Sequence, residues 1–221
     1  MPVEGRASGS GNSAFPSVSL TPSSLTHFHH DHISGLADLW LTGWLPPAFG
    51  QRQHALKILG PTGTEDVTQG LLAAYARDID MRVADEGLPR AGAAFDVTEF
   101  SSGGEIYAEG DLRVTAFAVN HGELITPAYG YRIDYAGRSV LISGDTQFDE
   151  NLIEAGIVFQ RIQPKLAVYT HMVRLAAPDM PELALADLVA QTRRTYDGPL
   201  VVGHDLMTIE IGENVVIYDH R

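Results

Sequence analysis

Thr26-His27-Phe28-His29-His30-Asp31-His32 sets His27, His29, Asp31 and His32 in a His-x-His-x-Asp-His spacing. Neutral imidazole is the commonest metal ligand in proteins, and a carboxylate suits the same borderline divalent ions. On an extended segment, alternate side chains share a face, so His27 and His29 can turn toward one point. A sharp turn after them can bring Asp31 and His32 to a second point nearby. A surface histidine tract that binds metal by accident is the competing reading. It loses ground because further ligand types appear later in the chain.

Those later residues are His121 in Val119-Asn120-His121-Gly122, Asp145 in Ser143-Gly144-Asp145-Thr146, and His171 in Tyr169-Thr170-His171-Met172. Taken in order with the opening motif, they resemble the signature of the metallo-β-lactamase-fold hydrolases. The resemblance runs from about residue 25 to the C-terminus, and an ordered seven-residue match is far more specific than any single motif. It implies an α/β chain folded as an αββα sandwich. Position by position, it implies that His27, His29 and His121 hold one metal and that Asp31, His32 and His171 hold a second. Asp145 would bridge the two. Leu36 to Pro47, Ile58 to Gly63, Ala128 to Ile133 and Asp205-Leu206-Met207 are similar to the branch that contains ribonuclease Z and the arylsulfatase-like and phosphodiesterase-like hydrolases.

Bulk composition narrows the chemistry. The 221 residues are enough for one sizeable buried core. The absence of cysteine removes disulfides, thiolate metal sites and a cysteine nucleophile, so any metal must sit among N and O ligands. Fifteen basic against 28 acidic residues give a formal charge of −13, and no basic run offers a track for a phosphate backbone. No apolar stretch approaches the ~20 residues that span a bilayer. No apolar signal region opens the chain. The expectation is a cytoplasmic protein with no membrane partner.

The first segment differs from the rest. Twelve of the twenty residues 5–24 are Gly, Ser or Pro, a composition that disfavours packed structure. The division expected is a flexible tail over 1–24 and a hydrolase domain over 25–221. In the family an N-terminal half-sheet precedes the histidine motif. Here Val18 to Leu20 and Leu25-Thr26 are the strand material before it, so the resemblance implies a domain lacking part of that half-sheet. Downstream, the pattern predicts a short helix from Gly35 to Leu41 and a strand from Leu56 to Leu59. A helix is predicted to be capped by Thr64, with Val67, Leu71, Leu72 and Tyr75 facing the core. Strands are predicted at Leu112–Val119 and Leu166–Thr170, and a hairpin at Tyr129–Tyr135 and Ser139–Ile142 turning at Ala136-Gly137. A helix over 181–195, capped by Asp179 and with Leu185, Leu188, Val189 and Thr192 inward, precedes short strands at Leu200–Val202, Met207–Ile211 and Val215–Tyr218.

Two divalent ions about 3.5–4 Å apart lower the pKa of a shared water and clamp an ester from both sides, which supplies a nucleophile without Ser or Cys. On ligand type zinc is favoured, with manganese or iron as alternatives. Asp31 and Asp145 would thereby act in catalysis as well as in binding. The other histidines carry less. His30 is turned away by the spacing of its neighbours, and His54 and His220 read as solvated. His204 follows a short strand and is the one late histidine that could donate a proton, although a structural role is the stronger reading. Asp205 could orient a histidine ligand.

Two departures from the family bear on activity. Relatives of ribonuclease Z carry a proton-donating histidine between the bridging aspartate and the last metal histidine. Here the 25 residues 146–170 contain none. The tRNA-gripping arm of that branch also has no room, because Tyr131-Arg132 reaches Ser143-Gly144-Asp145 through the eleven residues 133–143. The reading is a dinuclear metal-dependent hydrolase of small or medium phosphate, sulfate or carboxylic esters. A 3′-processing tRNA endoribonuclease and a catalytically weak metal-binding remnant are the alternatives. A homodimer with Trp40, Leu41 and Trp44 at its contact is conceivable, against plain core packing of the same residues.

Overall fold

The protein is described by a computed structural model over residues 22–46, 49–146, 152–171 and 185–220, with residues 152–156 described through their backbone alone. Of the segment read as a tail, residues 1–21 lie outside the described residues, while Ser23–Ser24 form strand β1. β1 runs parallel to β2 (Leu56–Pro61), with Ser23 opposite Ile58, and β2 runs parallel to β3 (Phe95–Phe100). Parallel neighbours need a crossover, and helix α3 (Thr64–Asp85) supplies it between β2 and β3. Helix α2 (Leu36–Trp44) packs on the same sheet, placing Leu36, Trp40 and Trp44 against Leu56 and Ile58 of β2 and Ile79 of α3. Trp40 and Trp44 are 0% and 1% exposed, and Leu41 packs against their cluster, so these residues build the core.

The start of α3 differs from the sequence expectation. Gly63 occupies the cap position with φ 106°, and Thr64 is the first helical residue, fully buried and donating its hydroxyl to Pro61 O at 2.7 Å. The acceptor that a cap provides comes instead from β3. The Glu99 carboxylate takes the amides of Gly63 and Glu65 at 2.9 and 2.8 Å, where a negative charge also suits the helix dipole. Of the α3 residues read as core, Val67, Leu71 and Leu72 pack against the cluster. Tyr75 is 36% exposed and meets Trp40 edge-on.

A second sheet is antiparallel in the order β4 (Gly104–Glu109), β5 (Leu112–Ala118), β6 (Tyr129–Tyr135), β7 (Arg138–Ile142). The β6–β7 hairpin turns at Ala136-Gly137, both with positive φ (48° and 74°), as a two-residue turn that follows strand twist requires. Val114, Ala116, Tyr129 and Tyr131 form its core and take in Phe100 from β3. The two sheets are stitched at Leu25-Thr26. Leu25 N donates to Leu59 O at 2.9 Å on one side. On the other, Tyr129 N donates to Thr26 O at 3.0 Å, and the buried Tyr131 hydroxyl donates to Leu25 O.

The remaining elements are helix α4 (Leu152–Ile162), strand β8 (Ala167–Tyr169), helix α5 (Leu185–Thr192) and strand β9 (Leu200–Val202), parallel to β8. Tyr169, Leu188, Phe159 and Leu200 form their core, and the Tyr169 and Thr192 hydroxyls meet at 2.8 Å. Of the helix read over 181–195, the part from Leu185 to Thr192 is helical, while Asp179 and residues 172–184 lie outside the described residues. Leu188 and Thr192 are buried, but Leu185 is 37% exposed because it borders an open cleft. Strands β10 (Thr208–Ile211) and β11 (Val215–Tyr218) close the chain as a hairpin. Arg138 and Lys165 hold its turn through Gly212 O and Glu213 O. No helix among the described residues is long and apolar enough to cross a membrane.

Candidate metal centre

The histidine motif begins where the two sheets are stitched together. Residues 27–29 leave β1 extended, with His29 at φ −62° and ψ 144°, and a single helical turn, α1 (His30–Ile33), follows. The extended part turns His27 and His29 to one side. The helical turn swings Asp31 and His32 round beside them. His121 arrives on the loop after β5, Asp145 on the loop after β7, and His171 two residues after β8.

All seven candidate ligands are brought together in two groups: His27, His29, His121 and Asp145 in one, and Asp31, His32 and His171 in the other. In the first, His29 Nδ1 lies 3.0 Å from His27 Nε2 and 3.2 Å from His121 Nε2. In the second, the Nε2 atoms of His32 and His171 are 3.0 Å apart, and Asp31 Oδ2 is 3.4 Å from each. Asp145 Oδ2 stands between the groups, 3.3 Å from both His32 and His171 Nε2 and 3.6 Å from His121 Nε2.

The donor set fits divalent cations. Five ring nitrogens and two carboxylates converge without a lysine or arginine among them, and within each group the ligand atoms lie within 4.8 Å of one another, close enough to share one ion. His27 is 1% exposed. Burial, and then the His32 and His121 rings, push its imidazole down to about 4, so it is neutral at pH 7 and keeps a lone pair for a ligand. Burial opposes ionisation of Asp31, but its own backbone amide and the His32, His30 and His171 rings outweigh it and hold the carboxyl below the usual range.

Backbone features enforce the geometry. Gly144 has φ 65°, and a Cβ there would lie 2.7 Å from Tyr129 O, so Asp145 is delivered by a backbone that only glycine makes cheaply. Thr146 donates its hydroxyl to Asn120 O at 3.1 Å, tying the Asp145 loop to the His121 loop. His171 itself has φ 53°, a strained conformation of the kind that gathers at functional sites. The residues sequence reasoning missed are Thr26, whose hydroxyl lies 3.0 Å from His27 Nδ1, and Asp219. Adjacency to His27 was the only available signal for the first, and nothing in the sequence pointed to the second.

A cleft of about 280 Å³ opens beside the second group, lined by His171, Thr170, Leu185, Val202, His204 and Asp205. His204 Nδ1 lies 3.0 Å from the main-chain carbonyl of Asp205, which is what Asp205 offers here. His204 Nε2 is buried 3.3 Å from Asp219 Oδ2, near enough to pair but not aligned as a hydrogen bond. His30 points outward with a 94% exposed side chain, and His54 and His220 are on the surface.

Comparison with known proteins bears on the family and the fold. Residues 24–158 match the family model of the beta-lactamase superfamily domain. The chain is 27% identical over 195 residues to a ribonuclease Z of Mycobacterium marinum and 29% identical over 203 residues to one of Mycobacterium avium. Each match covers 86% of this chain and 68% of the relative. Among solved structures, the metallo-beta-lactamase fold protein YhfI of Bacillus subtilis superposes with a TM-score of 0.56 at 14% identity, over 93% of this chain and 80% of that one. The chain thus belongs to the beta-lactamase superfamily domain family, whose model matches residues 24–158, and has the metallo-beta-lactamase fold.

Proposed function

We propose that the chain is a dinuclear metal-dependent hydrolase acting on phosphate, sulfate or carboxylic esters of small or medium size. The observation that carries this reading is the Asp145 carboxylate standing between two histidine groups. His27, His29 and His121 would hold one ion, and Asp31, His32 and His171 the other. When bound, such a pair supplies an activated water and stabilises charge building on the attacked centre. The chain's own residues do the rest. His27 presents a neutral ring, Asp31 and Asp145 bring negative charge to balance the cations, and the cleft beside His171 receives the substrate. Zinc is favoured by ligand type, and the cytoplasm is the location that fits the reading.

A 3′-processing tRNA endoribonuclease is the second reading, favoured by the names of the Mycobacterium relatives. The tight β6–β7 hairpin and the charge of −13 weigh toward the smaller ester. Steep salt dependence of tRNA binding would turn the choice the other way.

The first test is metal content. Purified protein is expected to hold about two divalent ions per chain by elemental analysis. Zinc added to chelator-stripped protein at 100 times its Kd is expected to stabilise the fold by about 2.7 kcal/mol for each site filled, read as a rise in Tm. Absence of bound zinc, manganese or iron, together with an unmoved Tm, removes the proposal. Bis-aryl phosphate, aryl sulfate, lactone and precursor tRNA then separate the substrate classes.

A further inference from the structure

Thr26 touches one candidate ligand, His27, and the glycine that precedes another, Asp145, without being a ligand itself. Its backbone carbonyl accepts from Tyr129 N at 3.0 Å, which fixes the residue against β6. Its Oγ1 lies 3.0 Å from His27 Nδ1. Its Cγ2 and Cβ lie 3.2 and 3.3 Å from where a Gly144 Cβ would stand, so its methyl face is pressed on the glycine that delivers Asp145. His27, at 1% exposure, depends on protein groups rather than solvent for a partner at Nδ1.

A neutral imidazole carries one ring proton, and its position decides which nitrogen has a lone pair to give. His27 Nε2 is the nitrogen that faces His29 Nδ1, at 3.0 Å. For Nε2 to bind an ion, the proton must sit on Nδ1 and must find an acceptor there. We propose that Thr26 is a positioning residue with two separable tasks. Its hydroxyl accepts the Nδ1 proton of His27 and so selects the Nε2 lone pair, while its methyl group seats Gly144 and with it Asp145. This rests on the metal-centre reading above and adds a residue outside the seven ligands. Partners of this kind are worth about 10–100-fold in metal affinity.

Two variants divide the tasks. Thr26→Val keeps the branched shape against Gly144 and removes the acceptor. Thr26→Ser keeps the acceptor and removes the methyl group. Zinc affinity is measured on chelator-stripped full-length protein by competition with a chromophoric chelator, and Tm of the metal-free forms reports folding. Thr26→Val is expected to weaken binding of one of the two ions about 10–100-fold. Thr26→Ser should keep the His27 proton on Nδ1 but, with Gly144 no longer seated, weaken binding of the ions that share Asp145 and lower the Tm of the metal-free protein; unchanged values in both would remove the methyl's task. Nitrogen-15 spectra of the zinc-loaded original protein should show His27 protonated at Nδ1, a readout that needs no variant to fold. Wild-type affinity in Thr26→Val, or a His27 proton on Nε2 in the loaded protein, overturns the inference while leaving the metal centre in place. A parent protein that binds no zinc overturns both.

Discussion

Replacing Asp145 by alanine is expected to reduce metal content from about two ions per chain to one or fewer and to abolish turnover. The Oδ2 atom of this side chain is within 3.3–3.6 Å of ring nitrogens from His32, His171 and His121, so its loss removes an anionic ligand from both groups at once. Groups that merely orient a ligand are worth about 10–100-fold in affinity, and a shared ligand should exceed that. Asp145→Asn separates charge from shape, because the amide keeps an acceptor oxygen in place and loses the negative charge. It is expected to fall between the two. Elemental analysis and zinc competition measure the effect, and Tm of metal-free proteins shows whether folding has changed. Two ions retained in Asp145→Ala, at unchanged affinity, would move the bridging role to another residue.

Rates across a leaving-group series are expected to fall steeply as leaving-group pKa rises. A p-nitrophenolate departs without a proton, whereas an alkoxide needs one, and general-acid help is typically worth about 10²–10⁴-fold. Histidine is missing from residues 146–170, where the related ribonuclease Z branch places its donor. His204 borders the cleft, but its Nδ1 faces the Asp205 carbonyl and its Nε2 is buried against Asp219. In this arrangement Nδ1 already has a protein partner and Nε2 is closed to solvent. The measurement is kcat/KM for aryl and alkyl esters with both ions loaded. A flat series, or efficient cleavage of precursor tRNA, would show that a proton donor operates, and loss of that flatness in His204→Ala would identify it. Absence of turnover even on activated esters would leave the metal-binding remnant as the better reading.

The candidate ligands were legible because chemistry and spacing coincide. His27, His29, Asp31 and His32 lie within six residues, and the structure gathers them with His121, Asp145 and His171. The β6–β7 hairpin was legible from Ala136-Gly137, since two successive residues at positive φ favour such a dipeptide. β3, β4 and α4 escaped notice. β4 carries its two half-buried residues, Ile106 and Tyr107, side by side rather than in alternation, whereas Phe95-Asp96-Val97-Thr98 of β3 does alternate and was passed over. The capping of α3 escaped for another reason. Glu99 reaches Gly63 and Glu65 from 36 and 34 residues away, and local pattern carries no signal at that distance. The same holds for Thr26 and Gly144, which meet only because β6 lies beside the strand leading to His27.

The way the site is closed also fixes its place in time. His29 meets His121 across 92 residues and His32 meets His171 across 139. Loops of that length close late, after local elements such as α3 have formed, because closure entropy must be met before such contacts return anything. The ligand cluster is therefore expected to form after the folding transition state, so that folding rates measured with and without zinc should coincide. Interactions of that kind leave the folding rate nearly unchanged and slow unfolding. On that expectation, cations bound at the cluster would lengthen the lifetime of the folded chain rather than speed its formation.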